Sequence, residues 1–170
     1  MKKSNSKFAV LSIIVTTVLS SIIGGFATID SRNADMRQID QSINLVAERV
    51  YQYSNEAISA AILTVEEENL DLTLALVTQE GIETVINESH LIYPGIKTLA
   101  TLQKGITGPF SFEGDNPYRF RSVIIPGGDY LVIAAALDEL DANFKSNLQN
   151  LGGFTITADA LAIFFSIFLL

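Results

Sequence analysis

The chain contains no cysteine. Disulfides, zinc–thiolate sites, iron–sulfur clusters and cysteine nucleophiles are therefore excluded. Histidine occurs once, as His90. A Ser-His-Asp triad would need that residue, and no G-x-S-x-G accompanies it. Neither a Walker loop nor a G-x-G-x-x-G is present, and no internal repeat or low-complexity tract stands out. Charge is scarce too, at 18% of 170 residues, against roughly 25% in soluble domains. The shortage is local, because residues 8–29 and 160–170 carry no charge at all. A fully soluble, fully disordered or collagen-like chain does not fit that pattern. The length allows one modest folded domain, not two.

The charge that is present divides by sign. Residues 1–7 hold three lysines and no acid, whereas residues 30–150 hold eight basic and eighteen acidic groups, a net −10. Phosphate contact needs the opposite sign, so no nucleic-acid partner is expected.

Both apolar ends point to a lipid bilayer. Residues 8–29 read FAVLSIIVTTVLSSIIGGFATI. As a helix they extend roughly 33 Å, enough for a hydrocarbon core of about 30 Å. Lys2, Lys3 and Lys7 on one flank and Asp30 on the other place the N-terminus inside and residue 30 outside. The competing reading is a signal peptide cleaved after Ala27, at Gly25-Phe26-Ala27. Its apolar stretch exceeds the 7–15 residues of a typical signal-peptide core, which favours an uncleaved anchor. Residues 151–170 read LGGFTITADALAIFFSIFLL and predict a second membrane helix. Asp159 within it is expensive unless it is interfacial, paired or protonated. No basic residue closes this segment, which predicts that the natural chain runs on past residue 170.

Between the ends, residues 30–150 form one domain. Met36, Ile39, Ile43, Val46, Val50 and Tyr53 recur at helical spacing with charged residues between them. This is a heptad seam on an amphipathic helix. It is read either as packed on its own domain alone or as also pairing with a second subunit, a dimer seam through Met36, Ile39, Ile43, Val46 and Val50. Leu72, Leu74 and Leu76 then alternate as in a half-buried strand. Glu80-Gly81 turns the chain towards Ile82, Thr84 and Ile86, predicting a hairpin. Residues 96–104 predict a short helix, and strands follow at 110–112, 118–125 and 130–136. Helical spacing returns at Leu137, Leu140, Phe144, Leu148 and Leu151. An antiparallel sheet with a long helix at one face is an α+β domain.

Residues 118–151, YRFRSVIIPGGDYLVIAAALDELDANFKSNLQNL, resemble the end of the sensor domains of bacterial two-component sensor histidine kinases. In those domains an Arg-bearing strand turns through a Gly-rich hairpin into an apolar strand. A helix with an L-x-x-L pattern, here Leu137 and Leu140, then enters the membrane. The layout of the whole chain is similar: a basic start (1–7), a first membrane helix (8–29), an acidic extracytoplasmic domain (30–150) and a second membrane helix (151–170). The resemblance implies a PAS-like fold, a two-pass location in the cytoplasmic (inner) membrane and a homodimer. It also implies a small-molecule or ion ligand, and a response regulator reached through a cytoplasmic output module. That module is absent from these residues: there is no HAMP linker, no phospho-accepting helical His and no ATP-binding motif. The full-length protein is then a histidine kinase, although residues 1–170 hold no catalytic group and call for no cofactor. A chemoreceptor or a cyclic-dinucleotide synthase would share this input half. The alternatives of another class are a complete two-anchor interaction protein and a domain released after Ala27.

Candidate sites are few. Arg119 and Arg121 lie two apart on a strand and share a face, as anion recognition would use. Tyr118, Phe120 and Ser122 take the other face, and Tyr118 joins the two arginines as a ligand-binding candidate. Glu66, Glu67, Glu68 and Asp71 read as a solvated helix end rather than a cation site, so no metal is expected. His90 sits in a loop-like stretch and is read as a lone exposed residue rather than as a group that responds to acid pH. Asn87-Glu88-Ser89 matches a glycosylation sequon, a weak tripeptide signal.

Overall fold

A computed structural model describes the backbone of residues 2–78, 80–86, 108–112 and 117–168. It describes the side chains over those ranges except 2–10, 83–85, 154, 159 and 161–168. His90, the sequon at 87–89 and the expected helix at 96–104 lie outside the described residues, as does the Asp159 side chain. The chain divides into two compact units. The first is Met1–Ala34 with Leu140–Leu170, and the second is Asp35–Glu139.

The four prolines all lie at residue 94 or later, so nothing removes a backbone donor early in the chain. One helix, α1, accordingly runs unbroken over Lys2–Gln52. The two helices expected from the sequence are thus one, because the DSRNAD stretch at 30–35 holds no breaker. A 3₁₀ turn at Ser54–Glu56 separates α1 from α2, Ala57–Glu67. The strands are β1 (Thr73–Val77), β2 (Ile82–Ile86), β3 (Phe110–Phe112), β4 (Tyr118–Ile124) and β5 (Tyr130–Ala136), and α3 covers Asp138–Phe168. The five strands form one sheet in the order β2-β1-β5-β4-β3, and every neighbouring pair is antiparallel. The domain is α+β, with a long N-terminal helix before an antiparallel sheet.

Turn chemistry fixes the hairpins. The Thr78 N–H donates to the Gly81 carbonyl at 2.8 Å, closing β1 onto β2. In the β4–β5 turn, Gly127 and Gly128 have φ of 105° and 87°. An L side chain rarely adopts that region, so glycine is required at both positions.

The second unit's sheet is buried on both faces. One core joins Ile43, Val46, Ala47 and Val50 of α1 and Ala57, Ala61 and Val65 of α2 to Leu74, Val123, Leu131, Ile133 and Ala135. On the other face Ala75, Val77, Tyr118, Phe120, Val132 and Ala134 form a second cluster. β1 is therefore not half-buried: Thr73, Leu74, Ala75 and Val77 are all at or below 3% exposure. Leu74 faces the α1–α2 core, while Ala75 and Val77 belong to the cluster on the opposite face.

In the first unit, α1 and α3 pack antiparallel. Arg32 Nη2 donates to Asp141 Oδ1 at 2.7 Å, and its guanidinium lies 5.1 Å from the Phe144 ring centroid. Further along, the Ser21 and Thr155 hydroxyls are 3.3 Å apart. A Cβ at Gly24 would collide with Leu151 Cδ1, so the absent side chain allows the close approach. Among the described residues, one helix is long and apolar enough to cross a membrane, by length and composition: residues 11–52 of α1. No part of its apolar window is buried within the protein.

Candidate functional site

The alternation of β4 sorts the predicted ligand residues onto opposite faces of the sheet. Arg119 points to the α1 side, where its Nε and Nη2 donate to the two carboxylate oxygens of Asp40 at 2.6 and 2.8 Å. Its Nη1 donates to Ser111 Oγ on β3 at 2.8 Å. This is a bidentate, charge-assisted contact, the strong kind, and both side chains are mostly shielded, at 20% and 29% exposure. Arg121 donates from Nη1 to Asn44 Oδ1 at 2.6 Å, and its guanidinium lies 5.9 Å from the Tyr51 ring centroid. Asp40 and Asn44 are four residues apart, one turn of α1. The two arginines thus grip one stripe of the long helix.

Tyr118 lies on the other face, so the structure does not gather the three residues into one site. Tyr118 packs 5.0 Å from Phe112 and 5.5 Å from Phe120 between ring centroids, and Phe110 meets Phe120 edge-on at 6.0 Å. This aromatic group was not anticipated as a unit from the sequence, because it needs the pairing of Phe110 with Phe120 and Phe112 with Tyr118. The Tyr118 hydroxyl is buried and has no hydrogen-bond partner among the described residues. Burial pushes its pKa above the ordinary 10.0.

An unpaired buried hydroxyl costs about 1–3 kcal/mol. Tyr118→Phe should therefore leave stability unchanged or raise it by about 1 kcal/mol. The pH dependence has a definite sign. The folded state holds this proton more tightly than the unfolded chain, so the contribution is complete below pH 10.0 and is lost as pH rises through the higher folded value. Urea midpoints measured at neutral and strongly alkaline pH should converge for the variant relative to the wild type. An identical alkaline loss in both would assign the effect to another group.

The seam residues divide as well. Ile43, Val46 and Val50 are at most 1% exposed, inside the unit's own core. Ile39 packs against that core from a half-buried position, and Met36 is half-buried. The reading in which the helix packs on its own domain accounts for the three buried positions. They offer a second subunit no surface. Glu66, Glu67, Glu68 and Asp71 are exposed, and no group of three or more acidic or His residues is placed to hold a metal among the described residues.

No protein-family model, curated protein or solved structure matches this chain.

Proposed function

We propose that residues 1–170 are the input half of a membrane-bound signal receptor of the sensor histidine kinase type. In this reading a PAS-like sensor domain stands outside the cytoplasmic membrane between two membrane helices. The observation that carries it is helix continuity. α1 runs without a break from an apolar segment into the helix that packs on the sheet, and α3 leaves the last strand and runs without a break to Phe168. The chain order of long helix, antiparallel sheet and closing helix is the one the resemblance implies.

The mechanism is mechanical. A ligand or condition that favours one of two arrangements of the domain shifts their populations. Arg119 and Arg121 hold β4 to α1, so a displacement of the sheet is delivered to that helix, and α3 carries the matching movement. The chemistry belongs to a cytoplasmic module beyond residue 170, with a response regulator as its partner. If the receptor is a homodimer, it uses surfaces other than Ile43, Val46 and Val50.

The test uses the protein encoded by the full reading frame. In membranes containing it, ATP should label a histidine, and Asp40→Ala should change the extent of labelling. A frame that ends at codon 171, or one that continues into a module without ATP-dependent labelling, overturns the kinase reading.

A further inference from the structure

A cleft of about 240 Å³ opens between the end of α1 and α2. Arg49 of α1 and Tyr53, just past its end, form one wall; Glu56 of the 3₁₀ turn and Leu63, Thr64 and Glu67 of α2 form the other. Its volume falls below the roughly 300–1,000 Å³ of sites for drug-sized molecules, which sets the scale of an occupant. Two large side chains in it are left open to solvent, Tyr53 at 48% and Leu63 at 54% exposure. One cation and two carboxylates share the cleft, yet Arg49 pairs with neither Glu56 nor Glu67 among the described residues. Opposite charges in one depression that do not neutralise each other leave room for a molecule carrying both signs.

We propose that this cleft binds a small zwitterion with an apolar body, the chemistry of an aliphatic or aromatic α-amino acid. Its carboxylate meets the Arg49 guanidinium, which suits planar carboxylates. Its apolar part lies on Tyr53 and Leu63, and its ammonium meets one of the two glutamates. Glu56 and Glu67 stand at opposite ends of α2, about 16 Å apart along the axis, so a small ligand engages only one. A lone anion or a lone cation fits less well, because each leaves the opposing charge unmatched. The site also lies on the long helix itself. A ligand that joins Arg49 of α1 to a glutamate of the α2 wall biases the position of α1 directly. That consequence rests on the receptor reading; the binding does not.

Calorimetric titration of residues 1–170 in lipid nanodiscs tests it, with leucine, valine, methionine and phenylalanine as probes. At least one should bind. For leucine, isoamylamine and 4-methylpentanoate, which keep one charge each, should bind about tenfold more weakly or worse, since each loses a charge-assisted contact. Arg49→Ala should abolish binding, and one of Glu56→Gln and Glu67→Gln should weaken it comparably. All three residues are exposed and unpaired, so the fold should tolerate the changes. Absence of heat from all four amino acids, equal binding of a singly charged analogue, or unchanged binding by Arg49→Ala overturns the proposal. Binding without any effect on histidine labelling would leave the site standing and remove the receptor reading. Labelling that responds to none of these probes, with no binding, would do the reverse.

Discussion

Val46→Asp should unfold the sheet-bearing unit. Val46 is fully buried, among Ile43, Ala47 and Val50 from its own helix and the residues of β1 and β5 that face α1. None of the buried side chains in that cluster can pair a carboxylate. Burying a charge without a partner costs several kcal/mol at least, against a total stability of about 5–15 kcal/mol for a domain. Ile43→Ala is the milder companion, expected to cost about 2–5 kcal/mol through lost burial and a cavity. The chain has no tryptophan, so tyrosine near-UV circular dichroism is the suitable signal. Cooperative urea unfolding by that signal should vanish in Val46→Asp and shift in Ile43→Ala. Were Val46 a contact between subunits alone, the variant would keep its cooperative unfolding and lose only association. A folded, monomeric Val46→Asp protein would therefore overturn the assignment of this seam to the domain's own core.

The second large effect is expected at the Arg119–Asp40 contact. Asp40→Ala removes the acceptor for two guanidinium nitrogens and leaves Arg119 with Ser111 alone. Hydrogen bonds to charged groups contribute about 1.5–3 kcal/mol each. Residual exposure of both side chains lowers that, so about 2 kcal/mol in total is expected. For a domain of about 100 residues this is a fall in Tm of roughly 10 °C. A double-mutant cycle with Arg119→Met separates the pair from its surroundings. A coupling near 1–2 kcal/mol is expected, and additivity within about 0.5 kcal/mol would reduce the contact to two independent surface groups. Arg121→Met should cost less, because one hydrogen bond to a neutral amide and one ring contact are lost.

The division of β4 between two faces was legible from residue order alone. Strand alternation placed Arg119 and Arg121 on one face and Tyr118 and Phe120 on the other, and the contacts follow that division. The run from Tyr130 to Ala136 reads as a continuous apolar strand, and β5 is the central strand of the sheet. The partners were not legible. Nothing local pairs Arg119 with Asp40, 79 residues away; the pairing exists because α1 crosses the sheet beside β4. Thr73 and Ala75 look like the exposed half of an alternating strand, yet they are buried, because that face of the sheet packs into a second apolar cluster that local pattern does not reveal. The cleft was hidden for the same reason. Arg49 and Glu67 belong to different helices, and the turn at Ser54–Glu56 brings them to one depression.

The position of β5 has a consequence for how the unit comes into being. A nascent chain emerges from its N-terminus, so α1, α2 and the β1–β2 hairpin are available early. β1 must then wait for β5, since Thr73 pairs with Ala134 and Val77 with Tyr130, partners made about 60 residues later. In the sheet the same strand lies between the early hairpin and the β3–β4 pair. Pairings of such long sequence separation are slow to form, and an unpaired apolar strand edge invites association with other chains while it waits. The hazard in producing this protein therefore lies in the interval before Tyr130–Ala136 is synthesised. Chains interrupted within that interval should be the ones that aggregate.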